Sequence, residues 1–270
     1  MKSNLPGDPL PRDLAEALER AKGRLGRLAP RVAFFSSVGS TNDVASSLAA
    51  SGDAEGVVVC ADEQTAGRGR RGRSWLSPPG GGLYVSVVWT PARARTDRDR
   101  AATLTTLAAG VALAEAIESA MGLRVDLKWP NDLYLARRKL AGILAEGAAN
   151  DAVILGYGIN IGPMAFPPEL ADRATSLETE LGRAVDRAHV FAETLAALAR
   201  RYEDLLDGRF DAILDAWRER APAGRGAHVS WTTPAGVRTG VTAGIDDRGA
   251  LLVRAGDRVE RIVAGELTWL

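Results

Sequence analysis

The chain of 270 residues contains a single cysteine, Cys60, and this scarcity excludes an internal disulfide framework. Its two histidines, His189 and His228, are isolated from any His/Cys/Asp ligand pattern, so no zinc site is predicted. Low cysteine use is typical of a reducing compartment, and we expect a cytoplasmic protein. No apolar run approaches the roughly 20 residues that span a bilayer, and the polar N-terminus does not resemble a signal peptide.

An excess of charge of either sign is also absent, because Lys+Arg and Asp+Glu both total 34. This balance argues against a protein whose main role is binding to a nucleic-acid or membrane surface. Lysine itself is rare: the lysines are Lys2, Lys22, Lys128 and Lys139, and the other cationic side chains are arginines. Lys128 and Lys139 are candidate functional residues because both fall in one motif-rich segment.

Several common catalytic and nucleotide-binding motifs are missing as well. The sequence has no Gly-x-x-x-x-Gly-Lys-Ser/Thr, which excludes a P-loop, and no Gly-x-Gly-x-x-Gly follows the first predicted strand. No Ser/His/Asp arrangement indicates hydrolysis. What remains is a globular chain of ordinary composition that is long enough for about two domains.

The sequence does contain a dense basic segment, Gly67 to Arg73, with four arginines and three glycines in seven positions. Glycine lets backbone N–H groups turn toward a ligand, and arginine supplies a permanent charge with a planar fork of donors for phosphate or carboxylate. A helix here would stack like charges, so we predict a loop between buried strands at 56–61 and 83–89. The alternatives for this arginine loop (residues 67–73) are a solvated basic turn or a nucleic-acid patch.

The order of the predicted elements indicates an α+β fold. Residues 1–11 are polar, contain three prolines and are expected to be disordered, and a leucine stripe predicts one amphipathic helix between residues 14 and 28. Short turns join most of the strands, so we expect a mainly antiparallel mixed sheet with helices on one side. The further strands are predicted at 31–35, 125–129, 133–135, 139–146 and 153–160, and the helices at 44–50 and 101–121.

The C-terminal part of the chain is predicted to form a small β unit. Residues 161–188 are predicted to be a long irregular connection, followed by helices at 189–207 and 210–220 and a linker at 221–226. Beyond the linker, short strands recur with turn signals between them, which predicts a small all-β barrel. Its strands are predicted at 228–232, 237–245, 251–255, 259–264 and 266–270, with turns that include Pro234-Ala235-Gly236.

Polar residues cluster where these elements end. Ser40, Thr41 and Asn42 precede the helix at 44–50, where they either cap it or receive a polar ligand group. The tail of the last strand of the large sheet, Gly-Tyr-Gly-Ile-Asn at 156–160, indicates a close approach of backbone to a ligand.

At this point the sequence resembles the biotin protein ligase family. The resemblance rests on five motifs in order: Ser40-Thr41-Asn42, Gln64 through Trp75, Lys128-Trp129-Pro130-Asn131-Asp132, Lys139-Leu140-Ala141-Gly142-Ile143-Leu144 and Gly156-Tyr157-Gly158-Ile159-Asn160. It runs from about residue 33 to the C-terminus. It implies a class II synthetase-like catalytic domain over residues 31–221 and an SH3-like C-terminal barrel over 222–270, with residues 1–30 forming a tail and one helix.

The resemblance also implies a reaction. ATP and biotin would be the substrates, with Mg²⁺, and biotinyl-5′-AMP would form first with release of pyrophosphate. A lysine of a biotin carboxyl carrier protein would then take the biotinyl group and release AMP. Some members carry an N-terminal winged helix that binds DNA. Only about 30 residues precede the first predicted strand, so we expect the short form without that domain, with no DNA or membrane partner, and a homodimer as one outcome of sheet-edge pairing.

The roles of individual residues follow from the resemblance. Catalysis is assigned to Lys139, Arg70 and Arg68. Biotin binding is assigned to Ser40, Thr41, Asn42, Gln64, Arg68, Gly69, Arg70, Lys139, Gly142 and Leu144. Binding of ATP and the adenylate is assigned to Arg70, Arg71, Trp75, Lys128, Asn131, Asp132 and Asn160. No residue is assigned to the metal.

Two alternatives stay open at this stage. A lipoate or octanoate transferase would share the catalytic fold, although the arginine loop and the predicted barrel favour biotin. A non-enzymatic nucleic-acid-binding protein would explain the basic loop and the barrel. It would not explain the balanced charge of the chain or the ordered motifs.

Overall fold

The computed structural model describes residues 5–28, 31–163, 166–233, 236–265 and 267–270, and these residues form two β-sheets with helices around them. The large sheet has seven strands in the order β1-β2-β3-β7-β6-β5-β4. Its strands are β1 (Val32–Phe35), β2 (Val58–Ala61), β3 (Gly82–Trp89), β4 (Asp126–Lys128), β5 (Asp132–Leu135), β6 (Arg138–Gly147) and β7 (Val153–Asn160). β1 and β2 pair in parallel and the other neighbours pair antiparallel, which confirms the prediction of a mainly antiparallel mixed sheet.

Helices cover both faces of the large sheet, so the prediction of helices on one side is wrong. Helix α2 (Thr41–Ala50) connects the parallel strands β1 and β2, and a parallel connection has to cross over one face of the sheet. Val57 and Val59 accordingly pack in a cluster with Ala45 and Ala49 of α2. The alternate positions of β2 join the larger core on the opposite face.

The larger core is built around helix α3 (Arg98–Met121). The side chain of Asp97 accepts a hydrogen bond from Arg100 N, and Gly122 ends the helix with φ 70°. Contrary to the expectation from the sequence, α3 has the length and composition of a membrane span, but 72% of its apolar window is buried inside the fold. This is the pattern of a core helix, and it agrees with the predicted buried helix.

The N-terminal residues lie against the edge of the large sheet. Asp8 N donates to Phe34 O at 2.8 Å, and the Asp8 carboxylate accepts from Ser36 N at 2.7 Å. The prediction of disorder is therefore wrong for residues 5–11, because the unpaired edge of β1 offers backbone partners; residues 1–4 lie outside the described residues. The helix that follows, α1 (Arg12–Ala21), is shorter than predicted and continues as two 3-10 turns near Gly23 and Gly26.

The connection after β7 is not purely irregular. It contains two short helices, α4 (Pro168–Ala171) and α5 (Leu177–Leu181), and the second is capped by Ser176. Helices of four or five residues are too short to show periodicity in a sequence, which explains why they were missed. The predicted helices that follow are confirmed as α6 (Arg187–Leu206) and α7 (Phe210–Arg220).

The C-terminal residues form a five-stranded antiparallel sheet in the order β11-β10-β9-β8-β12. The strands are β8 (Arg225–Thr233), β9 (Gly236–Ile245), β10 (Leu251–Ala255), β11 (Arg258–Ile262) and β12 (Leu267–Trp269), close to the predicted ones. The predicted turn residues Pro234 and Ala235 and the predicted strand start at Glu266 lie outside the described residues. That this sheet is an SH3-like barrel stays a prediction, as do the domain boundaries at residues 30 and 221.

Candidate active site

A cavity of about 590 Å³ opens on the large sheet next to the N-terminus of α2. All the site residues predicted from the sequence line it. They are Ser40, Thr41, Asn42, Gln64, Arg68, Gly69, Arg70, Arg71, Trp75, Lys128, Asn131, Asp132, Lys139, Gly142, Leu144 and Asn160. The fold thus brings together side chains that lie up to 120 positions apart in the chain. The ligand assigned to each of them stays a prediction.

The N-terminal turn of α2 is tied to Gln64. Thr41 donates to Gln64 Oε1 from its backbone N at 2.9 Å and from Oγ1 at 3.0 Å, and Gln64 Nε2 donates to Ser77 Oγ at 3.0 Å. The N-cap residue Ser40 makes no side-chain cap hydrogen bond in the described chain. Simple capping by Ser40 is therefore wrong, because the side chain of Gln64 satisfies the first-turn amide instead. Gln64 is held in one orientation at this end of the cavity.

Asn42 is buried beneath that turn and connects α2 to the sheet. Its Oδ1 lies 2.6 Å from Ser86 Oγ, and its Nδ2 donates to Glu146 Oε2 at 2.6 Å. A Cβ on Gly156 would lie 2.2 Å from Asn42 Oδ1, so this position has no room for a side chain. Ser86 and Glu146 were missed in the sequence. The signal for Ser86 was a polar residue in the otherwise apolar strand β3.

The arginine loop closes on itself like a small hairpin. Trp75 N donates to Gly67 O at 2.8 Å, and Gly69 N donates to Arg73 O at 2.7 Å. The turn at its tip uses Arg71 at φ 59° and Gly72 at φ 73°. This positive φ is easy for glycine and costly for arginine, which places local strain at the tip.

The arginine side chains of the loop point to different partners. Arg68 donates to both oxygens of Asp43, at 2.8 and 2.7 Å, and lies 3.4 Å from Glu146 Oε2. Arg70 Nη1 donates to Asn131 Oδ1 at 3.2 Å, and Asn131 Nδ2 donates to the carbonyl of Ile143 at 2.8 Å. Burial, together with the neighbouring charge of Arg71, lowers the pKa of Arg70. Asn131 is thereby fixed between β6 and the loop.

The two conspicuous lysines lie on either side of Asp132. Lys139 Nζ is 2.7 Å from Asp132 Oδ1, and Lys128 Nζ donates to Tyr134 Oη at 3.2 Å. Lys128 also lies over the Tyr134 ring at 4.7 Å and over the Trp269 ring at 5.4 Å. Burial lowers the pKa of Lys128, and the charge of Asp132 opposes that shift. Two cations at one end of the cavity favour an anionic ligand there.

Trp75 packs on the glycines of the sheet. A Cβ added to Gly158 would lie 2.2 Å from Trp75 Nε1, and one added to Gly142 would lie 3.0 Å from Trp75 Cζ3. Lys139 Nζ is 5.5 Å from the centroid of the indole ring. Trp75 Nε1 is buried and has no hydrogen-bond partner in the described part of the chain. A buried donor without a partner in a cavity wall is suited to an acceptor on a ligand.

The connection between β7 and α6 forms another wall of the cavity. Lys139 N donates to Arg173 O at 2.7 Å, and Thr175 N donates to Lys139 O at 3.0 Å, so this segment runs beside the start of β6. Buried Asn160 donates from Nδ2 to the carbonyl of Thr175 at 2.9 Å. This bond orients the amide of Asn160, which is predicted to contact the adenylate. The lining residues Phe166, Leu170, Arg173 and Trp269 had no signal in the sequence.

Comparison with known proteins places this cavity in a family. Residues 34–160 match the model of the biotin/lipoate A/B protein ligase family. Residues 226–267 match the model of the biotin protein ligase C terminal domain. The first match contains every site residue predicted from the sequence.

Curated relatives agree with the family models. The chain is 38% identical over 234 residues to the bifunctional ligase/repressor BirA of Bacillus subtilis, covering 84% of this chain and 70% of that protein. It is 36% identical over 225 residues to the biotin--[acetyl-CoA-carboxylase] ligase of Paracoccus denitrificans, covering 77% and 88%.

A solved structure shares the fold. The biotin protein ligase from Aquifex aeolicus, determined in complex with biotin and ATP, superposes with a TM-score of 0.76 at 29% sequence identity. The match covers 89% of this chain and 99% of that one.

Proposed function

The chain belongs to the biotin protein ligase family and is a ligase, and from that premise we propose that it joins biotin to a carrier protein through biotinyl-5′-AMP. In the first step the biotin carboxylate attacks the α-phosphate of ATP and pyrophosphate leaves. In the second step the ε-amine of a carrier lysine attacks the acyl carbon and AMP leaves. The observation that carries this proposal is one cavity with an ordered polar end at Thr41 and Gln64 and a cationic end at Arg70, Lys128 and Lys139.

The cationic end suits the first step. A carboxylate and a phosphate repel each other, so the site has to supply positive charge at the point where they meet. Lys139 has a flexible stem and a compact charge, and Arg70 reaches the same region from the loop. Lys139 bridges the two anions in this proposal, and Arg70 retains the adenylate once it has formed.

The polar end suits the head group of biotin. Ser40 and Thr41 are buried at the N-terminus of α2, and Gln64 presents an amide that is already oriented by Thr41 and Ser77. These groups are apt partners for the ureido ring, whose oxygen accepts and whose nitrogens donate hydrogen bonds. Gly142 and Leu144 follow on β6 and line the same cavity, where they are assigned to the apolar tail of biotin.

The remaining residues are assigned to the nucleotide. Trp75 contributes an aromatic ring and a buried donor, Asn160 an amide, and Arg71, Lys128 and Asn131 polar groups along the same wall. The described residues contain no group of three or more His, Cys, Asp or Glu side chains that could bind a metal on their own. Mg²⁺ commonly binds through one or two carboxylates together with phosphates, and Asp132 is a cavity carboxylate that fits this role. The ion would neutralise phosphate charge.

Isotope exchange between pyrophosphate and ATP tests the proposal. The purified protein is expected to catalyse this exchange when biotin is added, because biotin activation is reversible. Lipoate or octanoate in place of biotin should give little exchange; exchange that prefers lipoate would assign the protein to the transferase alternative. The non-enzymatic nucleic-acid alternative is not supported, because the relatives that the chain matches are named as ligases. Absence of exchange with every acid would overturn the proposal.

The partner of the second step is a biotin carboxyl carrier protein in this proposal, as the name of the Paracoccus relative suggests. Residues 12–28, before β1, form one helix and two 3-10 turns. A DNA-binding helix-turn-helix needs two helices with one free to enter the major groove. We therefore expect the 270-residue protein to show no sequence-specific band shift with a biotin-operon operator. Specific, salt-sensitive binding would contradict this.

Three further expectations remain proposals: a cytoplasmic location, no stable association with membranes, and a homodimer. Cell fractionation tests the first two, and sedimentation equilibrium at several protein concentrations tests the third. A monomer at all concentrations would contradict the homodimer.

A further inference from the structure

We propose that the side chain of Arg68 is a positioning residue that fastens the arginine loop to α2, and that it does not contact the reacting groups. This proposal rests on the proposed function and revises the catalytic and biotin-contacting role assigned to Arg68 from the sequence. The observation behind it is a latch formed by Arg68 with two carboxylates, Asp43 and Glu146, on two different elements.

Both terminal nitrogens of the Arg68 guanidinium are engaged by carboxylates. Its two terminal nitrogens donate to the two oxygens of Asp43 at 2.8 and 2.7 Å, which is the bidentate geometry that arginine forms best. One of them also lies 3.4 Å from Glu146 Oε2. The hydrogen bond from Arg68 lowers the pKa of Asp43, so the pair is charged at neutral pH. An arginine in this arrangement has to break an ion pair before it can bind a substrate anion.

The local charge also argues against an anion-binding role. One cation at Arg68 faces two carboxylates, so this cluster beside the cavity carries a net negative charge. Elsewhere the cavity lining includes Arg70, Lys128 and Lys139 together with Asp132, which leaves an excess of positive charge. A carboxylate or phosphate is therefore attracted to those cations more strongly than to Arg68.

The latch is attached to the interior of the protein. Glu146 accepts a hydrogen bond from Asn42 Nδ2 at 2.6 Å, and Asn42 Oδ1 lies 2.6 Å from Ser86 Oγ. Asn42 and Ser86 are 5% and 0% exposed, so their positions are set by packing. The chain of contacts runs from β3 through Asn42 and Glu146 to Arg68. A loop held this way is fixed at its first residues.

Fixing the start of the loop has a consequence for biotin. Gly67 lies so close to Gln64 that an added Cβ would be 3.2 Å from Gln64 Nε2, and Gln64 in turn is bound to Thr41. The latch therefore holds the backbone of residues 67–69 beside the polar end of the cavity. Loss of the latch should weaken the binding of biotin and leave the chemistry at Lys139 largely intact, since Lys139 makes separate contacts.

Kinetics of the exchange reaction test this assignment. Asp43→Asn keeps the size of the side chain and removes one charge. We expect it to raise KM for biotin about three- to tenfold and to change kcat by less than about threefold, as for loss of one bidentate ion pair. Asp43→Glu should restore most of the lost affinity. Glu193→Gln is the matched control: Glu193 forms a bidentate pair with Arg24, at 2.9 and 2.5 Å, that lies outside the cavity lining.

A second measurement does not depend on catalysis. Trypsin should cut within residues 68–73 faster in Asp43→Asn than in the wild type, with thermal melting confirming that both are folded, and Glu193→Gln should not change the rate. If the wild type shows no exchange with biotin, the proposed function fails, and the trypsin result still decides about the latch. An Arg68→Gln variant that lowers kcat about a hundredfold at unchanged KM for biotin, or equal trypsin rates, would overturn the proposal.

Discussion

Replacement of Lys139 by alanine is expected to lower the rate of pyrophosphate exchange by about 10²–10³-fold. This is the effect of removing one preorganised donor, and it corresponds to a loss of about 2.7–4 kcal/mol of transition-state stabilisation. The reason is the position of its ammonium group: it lies 2.7 Å from Asp132 and 5.5 Å from the Trp75 ring, in the wall of the cavity. A point charge on a flexible stem can follow the negative charge as it moves from the biotin carboxylate to the phosphate.

The same replacement should cost little stability. The fold uses the backbone of Lys139, which donates to Arg173 O and accepts from Thr175 N, and alanine keeps both bonds. The lost ion pair with Asp132 is partly exposed, with 32% and 22% of the two side chains accessible, and such pairs contribute about 0–1 kcal/mol. Lys139→Ala should therefore melt within a few degrees of the wild type.

Exchange kinetics and thermal melting, measured on the same preparations, check this prediction. Lys22→Ala is the control, because Lys22 pairs with Glu19 at 3.1 Å on an exposed helix end outside the cavity lining. It should keep full exchange activity. Near-normal exchange by Lys139→Ala would show that the charge of Lys139 is not used in adenylate formation.

The sequence predicted which residues line the cavity better than it predicted the contacts between them. Lys139, Asp132 and Gln64 could be predicted as neighbours because motifs with functional residue types recur at the ends of strands. The partners of Arg68 could not be predicted in this way. Asp43 was visible only as part of a helix start, and Glu146 as the last polar residue of a strand. Pairing between them depends on the distance between α2 and β6, and no local pattern in the sequence encodes that distance.

Two features of the fold were hidden for similar reasons. The crossover of α2 over the sheet follows from the parallel pairing of β1 with β2, whereas the short turns elsewhere predicted a mainly antiparallel sheet with helices on one side. The wall formed by residues 166–175 has no hydrophobic periodicity, and it is held through backbone bonds to Lys139. Almost any sequence can form backbone contacts of this kind, so they cannot be predicted from the residue types.

The glycines of β7 allow a second test with a large expected effect, because neighbouring positions on one face of the strand should respond differently. In Gly158→Val the new Cβ would lie 2.2 Å from Trp75 Nε1, so the indole has to move at the floor of the cavity. We expect kcat/KM for biotin to fall about 100-fold or more, since displacement of site groups by about 1 Å can cost that much. Stability should change little, because the indole that the new side chain displaces belongs to a loop in the wall of the cavity.

Gly156→Val is the comparison variant on the same strand. Its Cβ would lie 2.2 Å from Asn42 Oδ1, which is buried and bonded to Ser86. Overpacking a core of this kind costs about 1–3 kcal/mol, and a displaced buried amide adds to that cost. We therefore expect Gly156→Val to lower the melting temperature, by about 2–4 °C for each kcal/mol of stability lost.

Gly147→Val completes the set as a neutral control, because an added Cβ there would meet nothing within 4 Å. Urea unfolding and exchange kinetics on all three variants separate the two effects. If the floor at Gly158 serves the ligand, its variant loses activity at nearly wild-type stability, whereas the Gly156 variant loses stability. Near-wild-type kcat/KM in Gly158→Val would contradict the assignment. A loss of stability equal to that of Gly156→Val would also contradict it, because the fold would then need the glycine for packing and not for a ligand.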